Sequence, residues 1–339
     1  MPQPQLTDPW HIGPVRIPNR VVLAPLAGIG NWFVRLQAKR YGAGLAVSEM
    51  VSSFGVHHRN EKTVTEMLRI HPEERTGGRG PVAVQLFGQD PEVMRSAAAT
   101  VAERGADLID INMGCPVPKV CKTGAGAALL GDPARAVAVA RAAREGSGLP
   151  VTVKLRSGQR PGDTDGYALA HRLVEDAGVA AIGFHPRSAA VHHKGTPDYA
   201  LAARLAETLP APVILTGGLR SPQAVRTAFE QTGATAVMLA RGALGNPWLF
   251  ARLLGAPEAP EPTPDEVLDE LEWVMERAVE HLGGPRAGRY LRKFYPWYVE
   301  RLRLEPGRAK RLQEALQRTA TIDEARAVLA GLRNLPVAA

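Results

Sequence analysis

Cysteine is nearly missing from this chain. Two thiols, Cys115 and Cys121, in 339 residues exclude a disulfide framework and fit a reducing, cytoplasmic setting. No histidine pair stands near them at ligand spacing, so a zinc or other metal site is not expected. Runs of about 18 uninterrupted apolar residues are also lacking, which speaks against a transmembrane helix. The start, Met1-Pro2-Gln3-Pro4-Gln5, has neither the charged head nor the apolar stretch of a secretory signal. Acidic residues fall short of basic ones, 34 against 41, and the formal net charge is +7. That balance suits an anionic partner, although an evenly solvated basic surface gives the same composition. The length allows a large domain with a real core and a smaller one beside it.

What is present is an alternation of short apolar runs and helical stretches. The runs are Val21–Ala24, Leu45–Val47, Val82–Leu86, Leu108–Ile111, Val151–Leu155, Ala181–Phe184, Val213–Leu215 and Ala236–Leu239. Between most of them lie amphipathic stretches such as Pro91–Glu103, Asp132–Glu145, Asp165–Asp176 and Pro222–Glu230. Ser221-Pro222 and Asp132-Pro133 have the form of helix starts. Strands alternating with helices imply a parallel sheet, and eight units predict a (β/α)8 barrel of the TIM type over residues 1–254. A doubly wound open sheet is the alternative. It usually carries Gly-x-Gly-x-x-Gly after its first strand, whereas Ala24-Pro25-Leu26-Ala27-Gly28 lacks that spacing. Residues 255–264 hold four prolines and read as a stiff linker. Beyond them, residues 265–339 show helices only: Asp265–His281, Arg286–Arg303, Arg308–Thr319 and Asp323–Leu332.

In such a barrel the active site lies at the C-terminal ends of the strands. The strand ends here carry Ser48-Glu49, Gln85, Asn112 with Cys115, Lys154 with Arg156, His185 with Arg187, Thr216-Gly217-Gly218, and Ala240-Arg241. Each alone has a plain explanation. Lysine snorkels, histidine can be a satisfied core residue, Gly-Gly can be a turn, and free cysteines are usually inert fillers. Together they converge on one face, and buried polar groups are expensive unless paired. A polar planar ligand is the economical explanation. Gly217, Gly218 and Arg241, with the helix start at Ser221, suit a phosphate. A flavin mononucleotide fits that arrangement, and Lys154 would steady the negative charge of the reduced ring. Sugar phosphates also bind such sites.

These residues resemble those of the bacterial tRNA-dihydrouridine synthases, most of all their B-type branch. The resemblance rests on Leu23-Ala24-Pro25-Leu26-Ala27-Gly28, Val84-Gln85-Leu86-Phe87-Gly88, Val153-Lys154-Leu155-Arg156, His185-Pro186-Arg187 and Asn246-Pro247-Trp248. Its most specific segment runs from Asp110-Ile111-Asn112-Met113-Gly114-Cys115-Pro116 to Gly126-Ala127-Ala128-Leu129-Leu130. It implies FMN-dependent reduction of tRNA uridine to 5,6-dihydrouridine with NADPH as electron donor. It further implies Cys115 as general acid, Asn112 on the base edge, and flavin contacts at Pro25, Leu26, Gln85, Lys154, His185, Gly217, Gly218, Ala240 and Arg241. A thiol is mostly protonated at neutral pH and can give its proton to uracil C5. The chain departs from the family pattern at Thr216-Gly217-Gly218, where Asn-Gly-Asp is frequent. It departs again at Gly30-Asn31-Trp32-Phe33, and at Phe294 and Pro296, where histidine and glycine are more usual.

A uridine in folded tRNA must leave its stack to react, and affinity for RNA comes largely from phosphates. Arg187 at the barrel mouth and Arg289, Arg292 and Lys293 in the tail are the expected RNA contacts, with Tyr290, Tyr295, Trp297 and Tyr298 available for stacking. Without the resemblance, the same tail reads as an ordinary helix with aromatics in its core. The paired histidines His57-His58 and His192-His193 read as solvated, because neighbours point to opposite sides in regular structure. The expected molecule is a cytoplasmic monomer without membrane or metal attachments. Two rival activities remain open. One is a flavin oxidoreductase on a small metabolite, of the dihydroorotate type. The other is a non-catalytic RNA-binding barrel.

Overall fold

Strand Leu108–Met113 shows how this sequence builds its architecture. Leu108, Asp110 and Asn112 alternate with Ile109, Ile111 and Met113, and all six residues are buried. One set faces a barrel interior and the other faces the surrounding helices. The computed structural model describes residues 4–255 and 260–333. Residues 256–259 of the proline-rich stretch and 334–339 of the tail lie outside them. Its strands are β1 (Trp10–Ile12), β2 (Val15–Ile17), β3 (Val21–Leu23), β4 (Leu45–Ser52), β5 (Val82–Phe87), β6 (Leu108–Met113), β7 (Val151–Arg156), β8 (Ala181–His185), β9 (Val213–Thr216) and β10 (Ala236–Leu239). Strands β3 to β10 form a closed parallel barrel in chain order, with β10 returning to β3. The eightfold alternation read from the sequence is therefore the fold, and the open sheet is excluded.

Helices follow most strands, and their starts are capped. Asp90 accepts from the Val93 N–H at 3.0 Å ahead of helix Pro91–Glu103. Asp132 does the same for Arg135 at 3.1 Å, and Ser221 for Ala224 at 3.2 Å. Each helix has proline in its first turn, where no intrahelical N–H is needed. The β4–β5 connection differs. It holds only a short helix, Ser53–His57, and two irregular turns, Thr63–Met67 and Pro72–Arg75. A buried ion pair fixes it. Arg35 Nε and Nη2 meet Glu74 Oε1 and Oε2 at 2.8 and 3.0 Å.

The antiparallel pair β1–β2 gives no strand signal in the sequence. Its Trp10, Ile12 and Ile17 join one cluster with Val22, Leu45, Ala83, Leu108, Ala181, Ile214 and Met238. That hairpin fills the N-terminal end of the barrel, which leaves the polar layer toward the C-terminal end as the only strand-built mouth among the described residues.

The described residues form two compact units, which divide between Arg241 and Gly242. The division precedes the proline-rich stretch because helix Trp248–Leu254 goes with the second unit. A side chain at Gly245 would meet the Trp297 backbone at 2.8 Å, and Arg252 pairs with Glu261. The second unit is all helical: Pro264–Leu282, Gly284–Leu291, Tyr295–Arg301, Pro306–Arg318 and Ile322–Ala330. The single helix expected over 286–303 is two helices. Pro296 cannot donate to the carbonyl of Arg292, and that carbonyl instead accepts from Gln317 Nε2 at 2.7 Å. No described helix is long and apolar enough to cross a membrane.

Candidate active site

The barrel register sets polar side chains in layers. Gln85 pairs with Asp110, Asp110 with Thr152, Asn112 with Lys154, and Arg156 with His185. Partners in register on parallel strands point to the same side, so these groups share the mouth. Gln85, Asp110, Asn112, Thr152 and His185 are all buried. The structure thus brings together Asn112, Gln85, Lys154 and His185, as the strand ends implied.

Cys115 follows immediately after β6. Its N–H donates to Asn112 Oδ1 at 2.9 Å, and its carbonyl accepts from Ala127 N at 3.0 Å. Cys121 Sγ also donates to that carbonyl, at 3.3 Å. The backbone of Cys115 is therefore held from both sides while its side chain stays partly exposed. Asn112 also donates to Gln85 Oε1 at 2.9 Å. Its side chain is engaged with the protein on both ends, which makes it a holder of the Cys115 loop.

Lys154 is half-buried and makes no hydrogen bond among the described residues. Burial, with the nearby Arg156, lowers its ammonium to about 8, against the pull of Asp110 and Cys115. A buried cation with no partner is costly unless a ligand completes it. Burial pushes the Asp110 carboxyl up to about 6, although Thr152 and Gln85 hydrogen-bond to it and Lys154 attracts it. His185 is held neutral. Burial acts first, and the cations Lys154, Arg156 and Arg187 add to it. Arg187 Nη1 lies 3.2 Å from His185 Nε2. A guanidinium only donates, so Nε2 accepts and Nδ1 carries the proton.

The far side of the mouth is basic. Arg241 is exposed, and Arg220 and Arg187 both depress its ionisation, second to burial. Gly217 and Gly218 have φ of +106° and +82°, which strongly favours glycine. A Cβ on Gly217 would lie 2.4 Å from the His185 ring. The Gly217 carbonyl accepts from Tyr199 Oη at 2.9 Å. The guanidiniums of Arg241 and Arg220, two glycines and the start of helix Pro222–Thr232 make a cradle for an anion. Ala240 lines the strand end between them. Pro25 and Leu26 border the mouth on the β3 side, where the Leu26 carbonyl closes a turn with Gly30 N at 2.7 Å. The donor set thus fits a planar ring system with a phosphate tail.

Other expected residues have different surroundings. Arg187 is 9% exposed, and its guanidinium binds the Gly195 carbonyl at 2.7 Å as well as His185. It braces the β8 loop at the barrel mouth. Arg156 is buried and donates to the carbonyls of Gly114, Ser188 and His192 at 2.8, 3.0 and 2.7 Å. Arg292 Nη2 donates to the Thr319 carbonyl at 2.8 Å, so it too ties helices together. Arg289 and Lys293 are exposed, and Lys293 lies 4.8 Å from the Tyr290 ring centre. Phe294, Tyr295 and Tyr298 are core residues. His193, read from sequence as solvated, stacks near His185 at 6.2 Å and is lowered to about 4 by burial and nearby Arg241. Arg220, His193 and Thr152, which the sequence does not mark as site residues, belong to the site, as does Asp110, which the sequence places in the family segment without a role. Among the described residues no group of three or more His, Cys, Asp or Glu could hold a metal ion.

The dihydrouridine synthase family model matches residues 22–335. A tRNA-dihydrouridine synthase B of Xanthomonas axonopodis pv. citri is 37% identical over 294 residues, covering 86% of each chain. The tRNA-dihydrouridine synthase B of Pseudomonas aeruginosa is 35% identical over 299 residues, covering 86% of this chain and 87% of its own. Among solved structures, morphinone reductase in complex with tetrahydroNAD aligns with a TM-score of 0.57 at 17% identity, covering 78% of this chain and 94% of that one. The old yellow enzyme homologue from Zymomonas mobilis aligns with a TM-score of 0.56 at 16% identity, covering 76% and 94%. At those identities the two structures share the fold.

Proposed function

The chain belongs to the dihydrouridine synthase family, and from that premise we propose that it reduces uridine in tRNA to 5,6-dihydrouridine, with FMN at the barrel mouth and NADPH as electron donor. The observation that carries the reading is the half-buried, unpartnered Lys154 ammonium in the same mouth as Cys115, opposite an anion cradle. When bound, the flavin supplies the hydride that reaches uracil C6. Negative charge then falls on C5 and the C4 carbonyl, and C5 requires a proton.

Cys115 holds that proton as a thiol, and the hydrogen bond from its N–H to Asn112 sets where it is held. Lys154 favours negative charge on the ring, one of the levers a protein has on such a cofactor. Neutral His185 offers its Nδ1–H as a donor, and Gln85 its amide. The Gly217–Gly218 backbone, Ala240 and Arg241, with Arg220 beside them, hold the phosphate. Pro25 and Leu26 wall the ring through backbone. Arg289 and Lys293 provide RNA-phosphate contacts, Arg292 braces the helices that carry them, and Arg187 separately braces the β8 loop at the barrel mouth. Purified protein incubated with unmodified tRNA and NADPH tests the reading. The expected result is FMN released on denaturation and a gain of two hydrogens on tRNA uridine by mass spectrometry. A colourless protein, or flavin turnover on small metabolites indifferent to tRNA, overturns it.

A further inference from the structure

Four buried side chains form one line across the barrel mouth. Thr152 Oγ1 donates to Asp110 Oδ1 at 2.5 Å, and Gln85 Nε2 donates to Asp110 Oδ2 at 2.6 Å. Gln85 Oε1 accepts from Asn112 Nδ2 at 2.9 Å. Asn112 Oδ1 accepts from the N–H groups of Gly114 and Cys115 at 3.2 and 2.9 Å.

The direction of this line is forced from its last member. Backbone N–H groups only donate, so residue 112 must present oxygen to them. Its NH2 then faces Gln85, which must present oxygen in return. The Gln85 NH2 is thereby turned to residue 110, which must accept. Asp110 accepts as a carboxylate, or with a proton on Oδ1 shared with Thr152. Turning any single amide over sets two donors or two acceptors face to face in a buried place, where an unmade hydrogen bond is expensive.

We propose that Asp110 is a positioning residue whose acceptor oxygen fixes the polarity of the Asp110–Gln85–Asn112 relay and so holds Cys115 in place for proton delivery. The purpose rests on the reading of Cys115 given above; the relay rests on geometry alone.

Isosteric exchanges test it. Asp110→Asn can keep its oxygen on Gln85 and its NH2 on the Thr152 hydroxyl, which preserves the direction. Asn112→Asp sets oxygen against Gln85 Oε1, and turning Gln85 over moves the repulsion to the Asp110 carboxylate. The variants are therefore compared well above pH 6, where Asp110 holds no relieving proton. The double variant D110N/N112D runs the relay backwards with every pair complementary. Gln85 then donates to the carboxylate at position 112, the amide at position 110 donates to Gln85, and Thr152 donates to the amide oxygen at position 110. The loaded enzyme and these three variants are compared for dihydrouridine formation at saturating tRNA and for melting temperature. Asp110→Asn is expected to keep at least about a third of the rate. Asn112→Asp loses on the order of tenfold or more and melts lower, and the double variant recovers most of the rate and melts higher than the sum of the two single effects. A double variant no better than Asn112→Asp overturns the relay. Recovered melting without recovered rate overturns its role in positioning. A wild-type protein that forms no dihydrouridine yet shows the same melting pattern overturns the activity, not the relay.

Discussion

Lys154 and Asp110 are adjacent in the barrel and titrate in opposite senses. Burial lowers Lys154 to about 8, so its ammonium is lost as pH rises through that value. Uridine reduction should fall across about pH 7 to 9, and Lys154→Gln should abolish that limb and slow the reaction by about tenfold or more. A pH–rate profile of both proteins checks this. Asp110 is raised to about 6 from an ordinary value of 3.8. Folding therefore favours its protonated form, and that contribution is full below about pH 4 and lost as pH rises through 6. Asp110→Asn escapes the loss. It should be more stable than wild type at pH 7.5 by up to about 3 kcal/mol and nearly equal at pH 4, as read by urea unfolding. The residues of the site that were legible in sequence, Gln85, Asn112, Cys115, Lys154 and His185, each interrupt an apolar run at a strand end. Asp110 and Thr152 lie mid-strand, where a polar residue carries no label until register pairs it with another. Arg187 and Arg292 carry no sign of their carbonyl partners in the sequence. A charged residue reads as solvent-facing, and only the folded chain shows the carbonyls of Gly195 and Thr319 waiting for them.

At the level of elements, the cradle and the β4–β5 connection make separate demands. Gly217→Ala would hold an L residue at φ +106° with its methyl against His185. It should lower stability by about 1–3 kcal/mol and weaken flavin retention, measured by denaturation and by dialysis against free FMN. Glu74→Gln leaves the Arg35 guanidinium buried without its carboxylate and should lower stability by about 3–5 kcal/mol with the site chemistry unchanged per folded molecule. The eight barrel strands were readable because each is an apolar run with a polar or glycine end. The β1–β2 hairpin was not, since three-residue strands have too little periodicity to register. Nor was the β4–β5 connection, whose irregular turns depend on a pair 39 residues apart in sequence. The break at Pro296 was present in the sequence. Aromatic and basic residues on both sides of it gave a helical spacing that concealed it.

For the whole molecule, the basic excess and the family together argue for a nucleic-acid substrate. Binding of tRNA should weaken steeply with salt. Arg289→Glu with Lys293→Glu should weaken it about tenfold or more and flatten the salt slope by about 2, with flavin retained, as followed by fluorescence anisotropy. An Arg292→Glu variant should instead melt lower, because its side chain joins two helices. The central claim is that the thiol at the end of β6 gives the proton to uracil C5. The most direct measurement is single-turnover reduction of unmodified tRNA by the flavin-loaded Cys115→Ala variant, followed by mass spectrometry of the uridine. The account predicts undiminished flavin content and a rate of dihydrouridine formation slowed by about a hundredfold or more. Formation at the wild-type rate would contradict it.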